Sequence, residues 1–180
     1  MSNIIIITAP SASGKTTLIK KYISNHPNAL FSVSYTTRAM RDGEVDGKDY
    51  YFIDVSKFEE MISDDLFIEW AKVHDNYYGT AISELEKAND NQLLILDIDI
   101  QGALYLKKKN IEAKYIFIEP PSIDTLKERL VSRGTETEES IKLRIWNAKR
   151  ELEYKDQFDV IIKNEDVDIA YKELEKIINN

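Results

Sequence analysis

The sequence predicts an α/β protein with a parallel core sheet flanked by helices. Three observations carry this. Short β-rich runs alternate along the chain with amphipathic helical stretches. Several runs are apolar at nearly every position, as strands covered on both faces are. A length of 180 residues with 43% hydrophobic side chains suits one domain with a buried core of its own.

Residues 3–8, Asn-Ile-Ile-Ile-Ile-Thr, read as the first core strand. A loop follows, and 15–24 form a helix with Leu18, Ile19, Tyr22 and Ile23 on one stripe, stopping before Pro27. Residues 30–33 form the second core strand. Over 34–80 the alternation breaks: strand-like pieces at 50–53, 67–73 and 76–80, separated by Gly43, Gly47 and Asp75-Asn76, predict a small antiparallel or mixed insertion. Core strands resume at 93–97, 114–118 and 159–162. The helix at 101–108 has Asp97 or Asp99 available as its N-cap. That at 138–152 carries Ile141, Ile145, Ala148 and Leu152 on one stripe, with Thr135 and Glu138 at capping-box spacing. The last helix, 166–178, starts from Asp166 and turns Ile169, Ala170, Leu174 and Ile177 inward. Trp70, Trp146 and the methionines read as packing, the lysines at 107–109 as a solvated helix end, and His26 and His74 receive no role.

Composition narrows the function. With 32 acidic against 24 basic residues the net charge is −8, which argues against a general nucleic-acid binder. The absence of cysteine excludes a disulfide framework, a thiolate metal site and a cysteine nucleophile. No apolar run approaches the ~20 residues of a membrane span, and no basic stretch precedes the apolar run of the N-terminus, so a cytoplasmic location is expected.

The strand at 3–8 runs into Ala9, Pro10, Ser11, Ala12, Ser13, Gly14, Lys15, Thr16 and Thr17 and then into a helix, the context of a phosphate-binding P-loop. Backbone N–H groups at the helix start would face a phosphate, Lys15 would reach the outer phosphates, and the Thr16 hydroxyl would hold Mg²⁺. Ala9 stands at the first glycine of the motif, and an ordinary Ser/Gly capping turn is the plain alternative. The strand at 93–97 ends in Asp97, a carboxylate placed to orient hydrated Mg²⁺, or else to cap the next helix. Arginines cluster twice. Arg38 and Arg41 follow Ser34-Tyr-Thr-Thr37, while Arg129, Arg133, Arg144 and Arg150 flank Gly134-Thr-Glu136. Two such clusters suggest two phosphate-bearing ligands, although Arg129 and Arg150 read better as solvated ion-pair partners.

The segments APSASGKTT, SVSYTTRAMRDGEVDGKDYYF, FIEWAKVHDNYYGT, LLILDIDIQGA and ERLVSRGTETEESIKLR, in this order, resemble the guanylate kinase family over essentially the whole chain. The resemblance implies a P-loop NTPase fold with a GMP-binding insertion at 34–80, a helical lid at 133–150 and a core made of 1–33, 81–132 and 151–180. It implies transfer of the γ-phosphoryl of ATP to GMP, and to dGMP, with Mg²⁺. Arg38 and Arg41, with the hydroxyls of Tyr50 and Tyr78, resemble the cradle of the GMP phosphate. Ser34, Glu69, Thr80 and Asp99 resemble the guanine readers, which suits guanine chemistry: carboxylates accept from N1–H and the 2-amino group, and hydroxyls serve O6. Lys15, Arg133 and Arg144, together with Arg38, resemble the groups that neutralise the transferring phosphoryl. Residues 9–17 resemble the ATP loop and Asn164 the adenine contact; Thr16 and Asp97 would hold the metal. Tyr50 and Tyr78 could equally be core aromatics, and Asn164 a turn residue. Ala12 departs from the glycine usual in the family. The rival readings are a non-catalytic guanylate-kinase-like binding module, which typically lacks the loop lysine, and a related kinase with another acceptor, against which Glu69 and Asp99 argue.

Overall fold

The computed structural model describes residues 3–73, 75–87, 92–132, 134 and 137–179. Five strands, β1 (Ile4–Thr8), β2 (Ala29–Phe31), β7 (Leu93–Asp97), β8 (Lys114–Glu119) and β9 (Val160–Lys163), form one sheet in the order β2-β7-β1-β8-β9. All pairs in it are parallel. The period of two in a strand divides the apolar run of β1 between two cores. Ile5 and Ile7 face the layer of α1 (Lys15–Asn25) and α7 (Val167–Asn179), with Leu18, Tyr22, Ala170 and Leu174. Ile6 faces α4 (Ile100–Lys108), with Ala103, Leu106 and Phe117. The chain leaves β1 on one side toward β2 and later returns to build β8 on the other. The carboxyl end of β1 is therefore the point where an open α/β sheet forms its crevice.

A second sheet, β4-β3-β6-β5, is built from β3 (Tyr35–Thr36), β4 (Tyr51–Phe52), β5 (Phe67–Val73) and β6 (Asn76–Ala81). It is mixed. β3 pairs parallel to β4 and antiparallel to β6, and β5 pairs antiparallel to β6 with a bulge between Phe67 and Glu69. Helix α2 (Val55–Ser63), absent from the sequence expectation, starts at the Asp54 carboxylate, which accepts from Lys57 N–H at 2.7 Å. It packs the Phe58 ring against Phe67 and Tyr77, with centroids 4.4 and 5.1 Å away. The short α3 (Ile82–Leu85) and α5 (Ile123–Ser132) were likewise not singled out, and α6 (Glu138–Leu152) packs beside α5.

Some local expectations are corrected. Helix α6 is capped by Thr137, whose hydroxyl accepts from Ser140 N–H at 3.2 Å, because the helix begins two residues later than a Thr135 cap requires; Thr135 itself lies outside the described residues. Trp70 and Trp146 are 46% and 53% exposed. Alternation along β5 turns Glu69 and Ala71 inward, so Trp70 must face out, where it meets Tyr77 edge-on. Trp146 lies under the Arg150 guanidinium on the outer side of α6. Of the methionines, Met61 is buried and Met40 exposed. Lys107 is not merely solvated: it pairs with Asp159 at 2.6 Å. Asp166 does start the last helix, accepting from Asp168 and Ile169 N–H. His74 lies outside the described residues. Among the described residues no helix is long and apolar enough to cross a membrane.

Candidate active site

Between β1 and α1 the chain turns through 9–14, and its shape is set by two residues with positive φ, Ala12 at 66° and Gly14 at 92°. Gly14 is required twice over. It begins α1 in the left-handed region, and a Cβ there would lie 2.3 Å from Asn164 Nδ2. Ala12 enters the same region with a side chain, a conformation that costs ~1–2 kcal/mol. Three residues from distant elements hold the loop in this shape. Asn164, buried just after β9, donates from Nδ2 to Ser13 O at 2.7 Å. Arg129 of α5 donates from Nη1 to Ala12 O at 3.2 Å, and Arg144 of α6 donates to Ser11 Oγ at 2.9 Å. Ala12, Gly14, Thr17, Arg129, Asn164 and Val167 line a shallow cavity beside it. Thr16 and Thr17 are exposed at the first turn of α1.

Two of the loop's polar neighbours are left over. The hydroxyls of Thr8, at the end of β1, and Ser13 are buried without a hydrogen-bond partner among the described residues. Lys15 crosses to the neighbouring strand end, pairing with the Asp97 carboxylate and donating to Ile98 O at 3.1 Å.

Opposite the loop lies the inner face of the second sheet. Glu69 is only 6% exposed, between Thr80, with which it hydrogen-bonds, and Asp99. Its carboxylate sits against Gly102, where a Cβ would come within 2.5 Å of Oε2. Burial, reinforced by the Asp99 charge and opposed by Thr80, pushes the Glu69 carboxyl up to about 7. Asp99 caps α4, accepting from Gly102 N–H at 2.7 Å. Ser34 Oγ and Thr80 Oγ1 lie 3.3 Å apart, both buried. Glu151, near the end of α6, is likewise pushed up to about 7 by burial, with Asp99 adding to the shift and Lys15 opposing it. The two sides of the crevice thus share one electrostatic neighbourhood.

Farther out, Arg38 donates through Nη2 to both oxygens of Glu44, at 2.8 and 3.0 Å, and its guanidinium lies over the Tyr50 ring. Burial works against the Arg38 charge, but Glu44 outweighs it and holds the guanidinium pKa above its ordinary value. Burial raises the Tyr50 phenol pKa, and the Asp97 charge adds to the shift. Tyr78 meets Tyr50 edge-on at 6.0 Å. Arg41 is exposed, its backbone N–H donating to Glu44.

Of the residues expected from the sequence, the loop 9–17, Asp97, Asp99, Arg144 and Asn164 surround the end of β1. Ser34, Arg38, Tyr50, Glu69, Tyr78 and Thr80 line the second sheet, Arg41 stands at its rim, and Arg133 lies outside the described residues. Sequence reasoning missed Glu44, Gly102 and Glu151 and set Arg129 aside. A glutamate three residues after Arg41 and six after Arg38 was the readable signal for Glu44. Arg129 carried no local signal, because its partner is a backbone carbonyl 117 residues away.

A family model described as guanylate kinase matches residues 1–180. Guanylate kinase of Schizosaccharomyces pombe is 46% identical over 96% of this chain and 88% of its own length. That of Nitratidesulfovibrio vulgaris is 45% identical over 95% of this chain and 83% of its own length. A crystal structure of guanylate kinase from Anaplasma phagocytophilum superposes with a TM-score of 0.79 at 32% identity, covering 98% of this chain and 84% of that one. Shikimate kinase from Bacteroides thetaiotaomicron, at 12% identity and a TM-score of 0.51, shares the fold alone.

Proposed function

The chain belongs to the guanylate kinase family and is an ATP:GMP phosphotransferase, and from that premise we propose how its residues divide the work. The observation that carries the assignment is the buried Glu69 carboxylate beside Asp99, together with a P-loop whose Lys15 is anchored on Asp97 at the end of the neighbouring strand. Guanine N1–H and the 2-amino group donate to Glu69 and Asp99, and the Ser34 and Thr80 hydroxyls serve O6. Adenine presents an acceptor at N1 and would leave the carboxylates unpaired. Arg38, oriented by Glu44, takes the GMP phosphate with Arg41 and the hydroxyls of Tyr50 and Tyr78.

Residues 9–17 cradle the ATP phosphates with backbone N–H groups, and Asn164 borders the adenine. Lys15, Arg133 and Arg144, with Arg38, neutralise the phosphoryl group as it passes to the acceptor. Catalysis then rests on alignment and charge, with no covalent intermediate and no general base. Mg²⁺ suits the hard oxygens of Thr16 and Asp97, and when bound it would offset charge on the β and γ phosphates. Residues 34–80 act as the GMP-binding insertion and 133–150 as the lid over the core of 1–33, 81–132 and 151–180; their closure excludes water from the transfer. The substrates include dGMP, and the setting is cytoplasmic.

The test is to incubate the protein with Mg²⁺-ATP and each of GMP, dGMP, AMP, CMP and UMP and to measure ADP. Formation should depend on the guanine nucleotides. No GMP-dependent signal would return the non-catalytic binding module.

A further inference from the structure

The chain passes between the core and the second sheet twice, outward through Ser32 and Val33 after β2 and back through Ala81 into α3. At the return crossing stands Glu84, a carboxylate only 2% exposed that lies outside the groups assigned above. Its Oε2 accepts from the backbone N–H of Val33, on the outward crossing, at 3.0 Å. Its Oε1 accepts from Lys87 Nζ at 2.6 Å. The Tyr35 phenol faces the same pair. Its pKa is raised by burial and then by Tyr51 and Glu84, with Lys87 opposing. The residue after Val33 is Ser34, and Thr80 precedes Ala81; their hydroxyls meet at 3.3 Å.

We infer that Glu84 is a positioning residue for the acceptor nucleotide: by tying one crossing to the other through the Val33 N–H, it fixes the spacing of the Ser34 and Thr80 hydroxyls that read guanine. This rests on the guanine-pocket reading given above. Val33 is buried, so its N–H has no solvent to turn to if the carboxylate is lost, and the Lys87 contact holds the carboxylate aimed. The position is well chosen mechanically. A shift at Val33 carries straight into Ser34, whereas the P-loop, held by Asn164, Arg129 and Arg144, is attached to other elements.

The experiment compares Glu84→Gln, which keeps an acceptor for Val33, with Glu84→Met and Glu84→Ala, which do not. Met and Ala should raise the KM for GMP by about tenfold or more while leaving the KM for ATP within about twofold, and Gln should stay within about threefold of the parent. A GMP KM that does not move in Met and Ala, an equal rise for both nucleotides, or a Gln variant as impaired as Met would each overturn the inference. Should Met and Ala fail to fold, Glu84→Asp takes their place: it keeps the charge for Lys87 but is one methylene too short to reach the Val33 N–H, so its KM for GMP should rise by about tenfold with that for ATP within about twofold, and an unmoved KM for GMP defeats the proposal. Ser34→Ala separates this inference from the reading beneath it. If Ser34→Ala leaves GMP use intact, the guanine pocket itself is misassigned. If it impairs GMP use and Glu84→Met does not, only the role of Glu84 fails. In the Ser34→Ala background, Glu84→Met should cost less than it does alone.

Discussion

The two walls of the crevice are made of different material. The P-loop wall presents backbone: its shape is set by positive φ at Ala12 and Gly14, and side chains from β9, α5 and α6 brace its carbonyls and its Ser11 hydroxyl from outside. The opposite wall presents side chains on a mixed sheet, with Glu69, Thr80 and Ser34 buried in fixed pairs. Backbone donors suit a phosphate, which looks the same in every nucleotide, whereas a base is distinguished by the order of donors and acceptors along its edge. On the proposed reading the first wall keeps its shape with an alanine at position 12, while the second depends on the particular carboxylate it holds.

The largest effect that would break this division comes from Lys15→Met. The loop's backbone shape does not depend on this side chain, so turnover should fall by orders of magnitude while the melting temperature drops only slightly through loss of the Asp97 pair. A variant that unfolds, or one with near-normal turnover, would show that the charge at the loop does something else.

Glu69→Ala should come next. Removing a charge-assisted acceptor from a dry pocket weakens GMP use by ~2–4 kcal/mol and leaves ATP affinity nearly unchanged. Calorimetry showing equal losses for both nucleotides would erase the distinction between the walls.

The pH dependence should be smaller and confined to the GMP side. With its carboxyl raised to about 7, Glu69 holds in the folded protein a proton that the unfolded chain releases near 4.5. Ionisation of the folded state is therefore disfavoured, and this group's cost to stability grows as pH rises from 4.5 to about 7. Guanine donors favour the ionised form. GMP binding below about pH 7 thus releases a proton, and the KM for GMP should fall by up to about tenfold per unit as pH rises toward 7, then level off. Asp99 and Thr80 are the groups that face it, and Glu69→Gln should flatten the profile measured against pH.

The smallest effect is expected from Ala12→Gly. The positive φ is already present in this structure, so the strain belongs to the loop itself, whatever it binds. Relief of ~1–2 kcal/mol, offset by the extra freedom of glycine in the unfolded chain, should shift the melting temperature by a few degrees at most, with turnover within a few-fold of the parent. A parent that is inactive until Ala12 becomes Gly would show that the strained loop has lost its function.

Where interactions are local, the sequence determined the outcome. Continuous apolar runs at 4–7 and 93–96 pointed to strands buried on both faces, and Gly14-Lys15 between a strand and a helical stripe to a tight turn into a helix. Asp166 caps the last helix as expected, and of the two carboxylates available to the helix after β7 it is Asp99 that caps, because a cap reaches no farther than three residues. What only the tertiary structure decided is held by partners distant in the chain. Two-residue strands such as β3 and β4 carry no periodicity, so their parallel pairing is fixed by the sheet they join. Trp70 is exposed because its neighbour Glu69 takes the inward position. Arg129 reaches the Ala12 carbonyl, and Glu84 reaches the Val33 amide, across 117 and 51 residues. A backbone group has no side-chain identity to read. Its choice of partner is fixed only when the fold brings the two together and leaves neither in reach of water.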